Sequence, residues 1–255
     1  MGAMTLYVKQ RSPVHSMDPL TKILYVIVSI AVTYILRELW AIAAMTAVTF
    51  LLLVIGKVFR KIIPVLGLSL LLIVSIIVVQ GFFNPENETV LFELGFLTFY
   101  EEGMRAAALF TLRILNMIGS FGVLILTTKP DDLVESLIKR GFSPRFGYIL
   151  LSVLQLIPQM SATMGKITDA QRSRGMETDG NLWVRTKAFF PLIVPVVLNS
   201  LNETRERAIA LEVRGFSSKG KRTFLNVTED YPYRHVIRGV LLAVLIGAIV
   251  WRVWT

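Results

Sequence analysis

From Ile62 to Phe83 the chain passes 22 positions without one charged side chain. At about 1.5 Å of rise per residue a helix of that length reaches about 33 Å, enough to cross the hydrocarbon core of a bilayer. Within lipid only a helix or a closed barrel can satisfy its own backbone, and so long an apolar run is helical in kind rather than alternating. Ile23–Leu36, Leu39–Ile55, Ala106–Thr127 and Val236–Val253 are four more runs of this type. Ile23–Leu36 and Leu39–Ile55 fall short of the roughly 20 residues that spanning takes, so they need polar flanks that snorkel.

Composition agrees with five spans. The mean hydropathy of +0.61 is high for a soluble domain. There is no cysteine, which removes disulfides and thiolate metal sites. A net charge of +9 would point to nucleic acid in a soluble chain. In a membrane protein it marks Lys and Arg held on the cytoplasmic side, so a bilayer is the expected partner and no nucleic acid is. The first 22 residues have no apolar stretch, and no cleavable leader is expected.

The loops orient the spans. Lys9, Arg11 and Lys22 precede the first, Lys57, Arg60 and Lys61 separate the second and third, and Lys129 follows the fourth. Asn84–Glu102 holds five Glu and no Lys or Arg. This alternation predicts a cytoplasmic N-terminus and an outer C-terminus. Lys129–His235 carries 16 of the 27 basic residues and 11 of the 18 acids, too many for a span. The expected organisation is therefore a membrane part with four helices over residues 1–128, a cytoplasmic helical domain over 129–235 and a last span over 236–255.

Three helices are expected in that domain. Pro130, Asp131 and Asp132 open a short amphipathic one, which Lys139, Arg140 and Gly141 close. A second runs from about Pro144 to Arg174 and a third from about Thr186 to Arg214. Each is apolar first and charged later, a shape that joins a membrane surface to a soluble partner. Pro158, Pro191 and Pro195 are expected to kink or break them. Both end alike, in Ala170…Arg174-Gly175 and Ala210…Arg214-Gly215. Arg near the negative helix end and Gly as the cap explain each ending locally. An exposed guanidinium at a helix tip also suits a carboxylate or carbonyl cluster on a partner.

Ser173-Arg174-Gly175 and Val213-Arg214-Gly215 resemble the paired X-Arg-Gly signatures of the transmembrane (T) component of energy-coupling factor transporters, of the cobalt/vitamin type. The segments "SPVHSMDPLTKIL", "LTFYEEGMRAAALFTLRILNMI" and "TTKPDDLVESL" resemble other parts of that family, so the likeness covers nearly the whole chain. Ser173 and Val213 stand where the family more often has Ala. The resemblance implies a non-catalytic scaffold without a cofactor, in a bacterial or archaeal cell membrane. Two of its cytoplasmic helices would cross like an X, and their Arg-bearing ends would dock two ATP-binding-cassette ATPases. The scaffold would also hold a small substrate-binding (S) membrane subunit, for uptake of a vitamin or a transition-metal ion.

Other chemistry finds little support. Gly215-Phe-Ser-Ser-Lys-Gly-Lys-Arg falls one residue short of a Walker A loop. Arg222 stands where the Mg²⁺-binding hydroxyl belongs, and a helical pattern precedes it instead of a strand. Lys219, Lys221 and Arg222 instead fit a basic patch facing anionic lipid or a partner. An intramembrane enzyme lacks ligands: the two histidines, His15 and His235, sit at span edges, and no Asp lies inside a span. A self-contained permease would need a polar path that five spans with few polar residues do not supply. Arg113 is the charge inside a span. It either snorkels and pairs within the bundle or contacts the substrate-binding subunit.

Overall fold

The computed structural model describes residues 7–10, 12–83, 89–94, 97–177, 180–216, 218 and 233–254. The chain forms two compact units, one of residues 5–142 with 229–255 and one built on residues 143–228. The first contains α1 (Pro13–Ser16), α2 (Pro19–Ile35), α3 (Leu39–Ile55), α4 (Phe59–Phe83), α5 (Glu101–Thr127) and α6 (Pro130–Lys139). A short antiparallel hairpin, β1 (Val90–Leu94) with β2 (Leu97–Tyr100), precedes α5. The second unit contains α7 (Pro144–Ser173) and α8 (Leu182–Val213), and α9 (Arg234–Trp254) belongs with the first. The protein is an all-α membrane protein apart from that hairpin.

In the first unit α5 is the hub, with α2, α3 and α4 packed around it, and α9 and α6 lie against α2. Small residues let the helices approach. A Cβ on Gly119 would stand 2.7 Å from Cγ2 of Thr49, and one on Gly122 would stand 2.0 Å from Cδ1 of Ile62. Gly119 and Gly122 therefore set the separation of α5 from α3 and α4.

Polar bonds fix the register. Asn116 of α5 donates to the Ser29 hydroxyl at 2.9 Å and accepts from Thr49 at 2.6 Å. Ser29 also meets Ser120 at 3.0 Å, and the Tyr25 and Thr49 hydroxyls meet at 2.7 Å. All five side chains are buried. Helices α2 and α5 also cap each other. Lys22 Nζ, 2 % exposed, donates to the carbonyl of Thr127 at 2.9 Å, at the end of α5. Arg113 Nε donates to the carbonyl of Thr33 at 2.9 Å, and its terminal nitrogen reaches that of Leu36 at 3.4 Å, at the end of α2. Each cation meets the carbonyls that a helix end leaves unsatisfied.

Beyond Ile62, which is buried against α5, many large apolar side chains of α4 face outward, with Leu68 82 % and Leu71 81 % exposed. That is the arrangement of a helix solvated by lipid. By length and composition α4, α5, α7, α8 and α9 can each cross a membrane, α7 and α8 being the least apolar. α2 and α3, 17 residues each, are shorter.

Three details differ from the sequence reading. Strands occupy part of the acidic Asn84–Glu102 loop, where Val90, Thr98 and Tyr100 are strand-forming types. Helix α8 begins at Leu182, earlier than expected, because the Asn181 side chain accepts from the Leu182 amide at 2.7 Å and caps it. Helices α7 and α8 also run unbroken through Pro158, Pro191 and Pro195. A proline removes one backbone bond, a local loss that does not end a helix of 30 or 32 residues.

Candidate functional site

The second unit is an antiparallel pair. Tyr148, early in α7, packs on Phe216 just beyond α8, with ring centroids 5.2 Å apart. Farther along, Gln159 of α7 sits between Glu203 and Arg207, one turn apart on α8. Its amide nitrogen donates to Glu203 at 2.5 Å, and its amide oxygen accepts from Arg207 at 2.5 Å. Asn199 adds a bond to Glu203 at 2.9 Å. Because α7 and α8 run in opposite directions, Arg214 lies beside the start of α7 and Arg174 at its far end. At about 1.5 Å per residue the helix from Tyr148 to Arg174 is about 39 Å long.

Both endings have one geometry. Arg174 is the C-cap of α7, and Gly175 follows with φ +83°. The Gly175 amide donates to Arg172 at 2.9 Å and the Met176 amide to Gln171 at 3.1 Å. Arg214 is the C-cap of α8, and Gly215 follows with φ +70°. There the Gly215 amide donates to Glu212 at 2.9 Å and the Phe216 amide to Leu211 at 3.0 Å. These paired bonds define the Schellman motif, whose left-handed position favours glycine. The cap also ends the helix at the Arg, whose side chain is left at the tip. Ser173 turns its hydroxyl back to the Asp169 carbonyl at 3.0 Å, and Val213 is 83 % exposed.

A third Arg-Gly ending, which sequence comparison of the two long helices passes over, has the same form. Arg140 caps α6, Gly141 has φ +101°, and the Phe142 amide donates to Leu137 at 3.1 Å. The backbone motif is thus a general helix stop, and the side chains distinguish the three. Arg140 reaches the Asp18 carboxylate at 3.5 Å. Arg174 and Arg214 are exposed, and no hydrogen bond or ion pair joins either side chain to another described residue.

Arg113 belongs to the first unit. Besides its bonds to α2 it stacks on Tyr34 and Phe110, with its guanidinium carbon 5.2 and 5.9 Å from the ring centres. Its charge is satisfied within its own unit. Lys219, Lys221 and Arg222 of the near-Walker stretch lie outside the described residues. Gly215, its first glycine, is a helix cap and does not open a phosphate-binding turn. Among the described residues no three His, Asp or Glu side chains gather as metal ligands. Gln159, Glu203 and Arg207 are the members of this pair that the sequence reading missed. A Gln within the apolar half of a long helix was the available signal.

Long lipid-exposed helices, a polar-pinned bundle and a helix pair with exposed basic tips define a multi-pass membrane protein. The family model described as CbiQ, cobalt transport protein, matches residues 10–224. Two similar relatives are energy-coupling factor transporter transmembrane proteins EcfT. That of Brevibacillus brevis is 29 % identical and that of Listeria innocua 30 %, each alignment covering 96 % of both chains. A third, from Streptococcus equi, is 28 % identical over 85 % of this chain and 84 % of its own. The chain belongs to the CbiQ family and is the transmembrane component of an energy-coupling factor transporter.

Proposed function

We propose that this subunit is the scaffold that couples two cytoplasmic ATP-binding-cassette ATPases to a small substrate-binding membrane subunit. The cargo is a vitamin or a transition-metal ion. The carrying observation is the pair of exposed arginines, Arg174 and Arg214, held by identical caps at opposite ends of the α7–α8 pair. A span of about 39 Å between the tips suits one ATPase at each. Ser173-Arg174-Gly175 and Val213-Arg214-Gly215 are the docking elements. Each planar guanidinium presents parallel donors to a carboxylate or to carbonyls in an ATPase groove. This chain is non-catalytic and binds no cofactor; ATP is hydrolysed in the partner chains, and their movement passes through α7 and α8 to the membrane subunit.

In this reading residues 129–235 are the cytoplasmic coupling domain, flanked by the membrane part over residues 1–128 and the last span over 236–255. The N-terminus is cytoplasmic, and the membrane is that of a bacterial or archaeal cell. Arg113, bonded within the bundle, serves assembly of the membrane part.

The test is Arg174→Ala combined with Arg214→Ala in the tagged chain. ATPase subunits and a small hydrophobic protein should co-purify with the unaltered chain in mild detergent. The double variant should lose the ATPases and abolish uptake while its own thermal unfolding stays unchanged. Undiminished ATPase association and transport in that variant would refute the docking role.

A further inference from the structure

One turn of α2 gathers three other segments of the first unit. Asp18 stands at the N-cap position of that helix, where an aspartate ordinarily accepts from the helix's own free amides. Here its side chain makes no capping bond. Its Oδ2 accepts instead from the Thr21 hydroxyl at 3.4 Å and from the Arg238 guanidinium, and Arg140 approaches the same oxygen at 3.5 Å. Arg238 also donates from Nε to the Thr21 hydroxyl at 2.9 Å. Lys22, at the other end of the turn, holds the carbonyl of Thr127, where α5 ends and the chain turns into α6. Helix α6 is therefore tied to α2 at both ends, by Lys22 before it and by Asp18 after it.

Chain order gives these ties their meaning. The chain leaves the first unit after Phe142 and rejoins it at residue 229. Arg140 is the C-cap of α6, the last helix before the exit, and Arg238 lies in the second turn of α9, which follows the return. A single carboxylate thus holds the near ends of both connections to the segment that carries α7 and α8. The two ties differ in strength. Arg238 is bonded to Asp18 and to Thr21, with a side chain 18 % exposed, while Arg140 makes one longer contact and is 48 % exposed. An ion pair of the second kind is weak and exchanges readily with water. At about 1.5 Å per residue the ten residues of α6 form a lever about 15 Å long, held firmly by the buried Lys22 at its start and loosely by Asp18 at its tip.

We infer that Asp18 is a positioning residue for coupling, a role that rests on the function proposed above. Displacement of α7 pulls on the tip of α6, which turns about its start. The Arg140–Asp18 tie passes that pull to α2, and the Arg238–Asp18 tie makes α9 move with it. Without the carboxylate the displacement ends in α6.

The experiment takes the full chain co-purified with its ATPases and compares hydrogen exchange with and without ATP and vanadate. In the unaltered complex nucleotide should change exchange several-fold in α6 and in the first turns of α2. Arg140→Gln leaves the Arg238–Asp18 tie in place. It should keep the nucleotide-dependent change in α6 and lose that in α2, while ATPase association and ATP hydrolysis persist. Asp18→Asn should lose it too, and Arg140→Lys, which keeps the charge, should retain most of it. A purely structural tie behaves differently: its loss raises exchange equally with and without nucleotide and leaves the difference between the two states untouched. That outcome in Arg140→Gln or Asp18→Asn would overturn the inference, as would the absence of any nucleotide-dependent change in α2 of the unaltered complex. Failure of the ATPases to co-purify with the unaltered chain would refute the coupling function itself, and the inference with it.

Discussion

The side-chain amide of Gln159 on α7 donates to the Glu203 carboxylate on α8 at 2.5 Å while accepting from Arg207. The bonding fixes the amide's orientation, because the reverse would set its oxygen against the carboxylate. Replacing it by Leu leaves Glu203 and Arg207 to pair on α8 alone and unties the two helices. Gln159→Leu should cost about 1–2 kcal/mol in the α7–α8 pairing, read as faster hydrogen exchange across the middle of both helices. If α7 and α8 transmit movement, uptake per ATP hydrolysed should fall while ATPase association persists. Unchanged exchange would show that apolar contacts alone set the pair.

Arg174→Lys and Arg214→Lys keep the charge but replace a planar fork by a point donor. Neither should restore ATPase association to more than a fraction of that of the unaltered chain. Full association of the double Lys variant would mean that charge alone suffices.

Asn116 joins α2, α3 and α5 through Ser29 and Thr49, with no exposed surface. Asn116→Leu should lower the stability of the first unit by about 1–2 kcal/mol, since the two hydroxyls lose their shared partner. Thermal unfolding in detergent checks this, and an unaltered midpoint would assign the register to packing alone.

Gly119→Ala places a methyl 2.7 Å from Cγ2 of Thr49, a short, stiff side chain already bonded to Asn116. Overpacking of this kind costs about 1–3 kcal/mol. Thr49→Ser, which removes the obstructing methyl but keeps the hydroxyl, should recover most of the loss when combined with it. Failure of that rescue would place the strain elsewhere.

His15 ties the N-terminal segment to the bundle. Its Nε2–H donates to the Val8 carbonyl at 2.9 Å, so Nδ1 accepts from the Ser12 hydroxyl at 2.8 Å. Burial, outweighing the Val8 bond and helped by Lys22, holds its pKa below 6.5. A lowered histidine pKa means that the unfolded chain takes up the proton first. The contribution to stability is therefore present above about pH 6.5 and is lost as pH falls through that value toward the folded pKa. Hydrogen exchange of residues 8–17 should quicken over that interval, and His15→Gln should remove the dependence.

Much of this molecule is legible without its fold, because the relevant interactions are local. The apolar run Ile62–Phe83 declares a spanning helix by its solvent requirement alone. Pro130 with Asp131 and Asp132, and glycine after Arg140, Arg174 and Arg214, declare helix ends because a cap bonds only its nearest residues. The X-Arg-Gly repeats carried the family resemblance for the same reason. The hairpin at Val90–Tyr100 was less legible, because acids and strand-forming residues are interleaved there.

What separates Arg140 from Arg174 and Arg214 lies in no local pattern. All three end a helix before a glycine, and only the packing of α6 and α9 against α2 brings Asp18 to the first of them. Arg113 likewise read as a costly charge in a span until α2 placed its last carbonyls beside it. Sequence determined which segments are helices, where they stop and that lipid surrounds them, since each of these follows from neighbours along the chain. The tertiary structure decided which cations are satisfied and which stay exposed for a partner, because a charge is settled by whatever lies across from it, however distant in sequence.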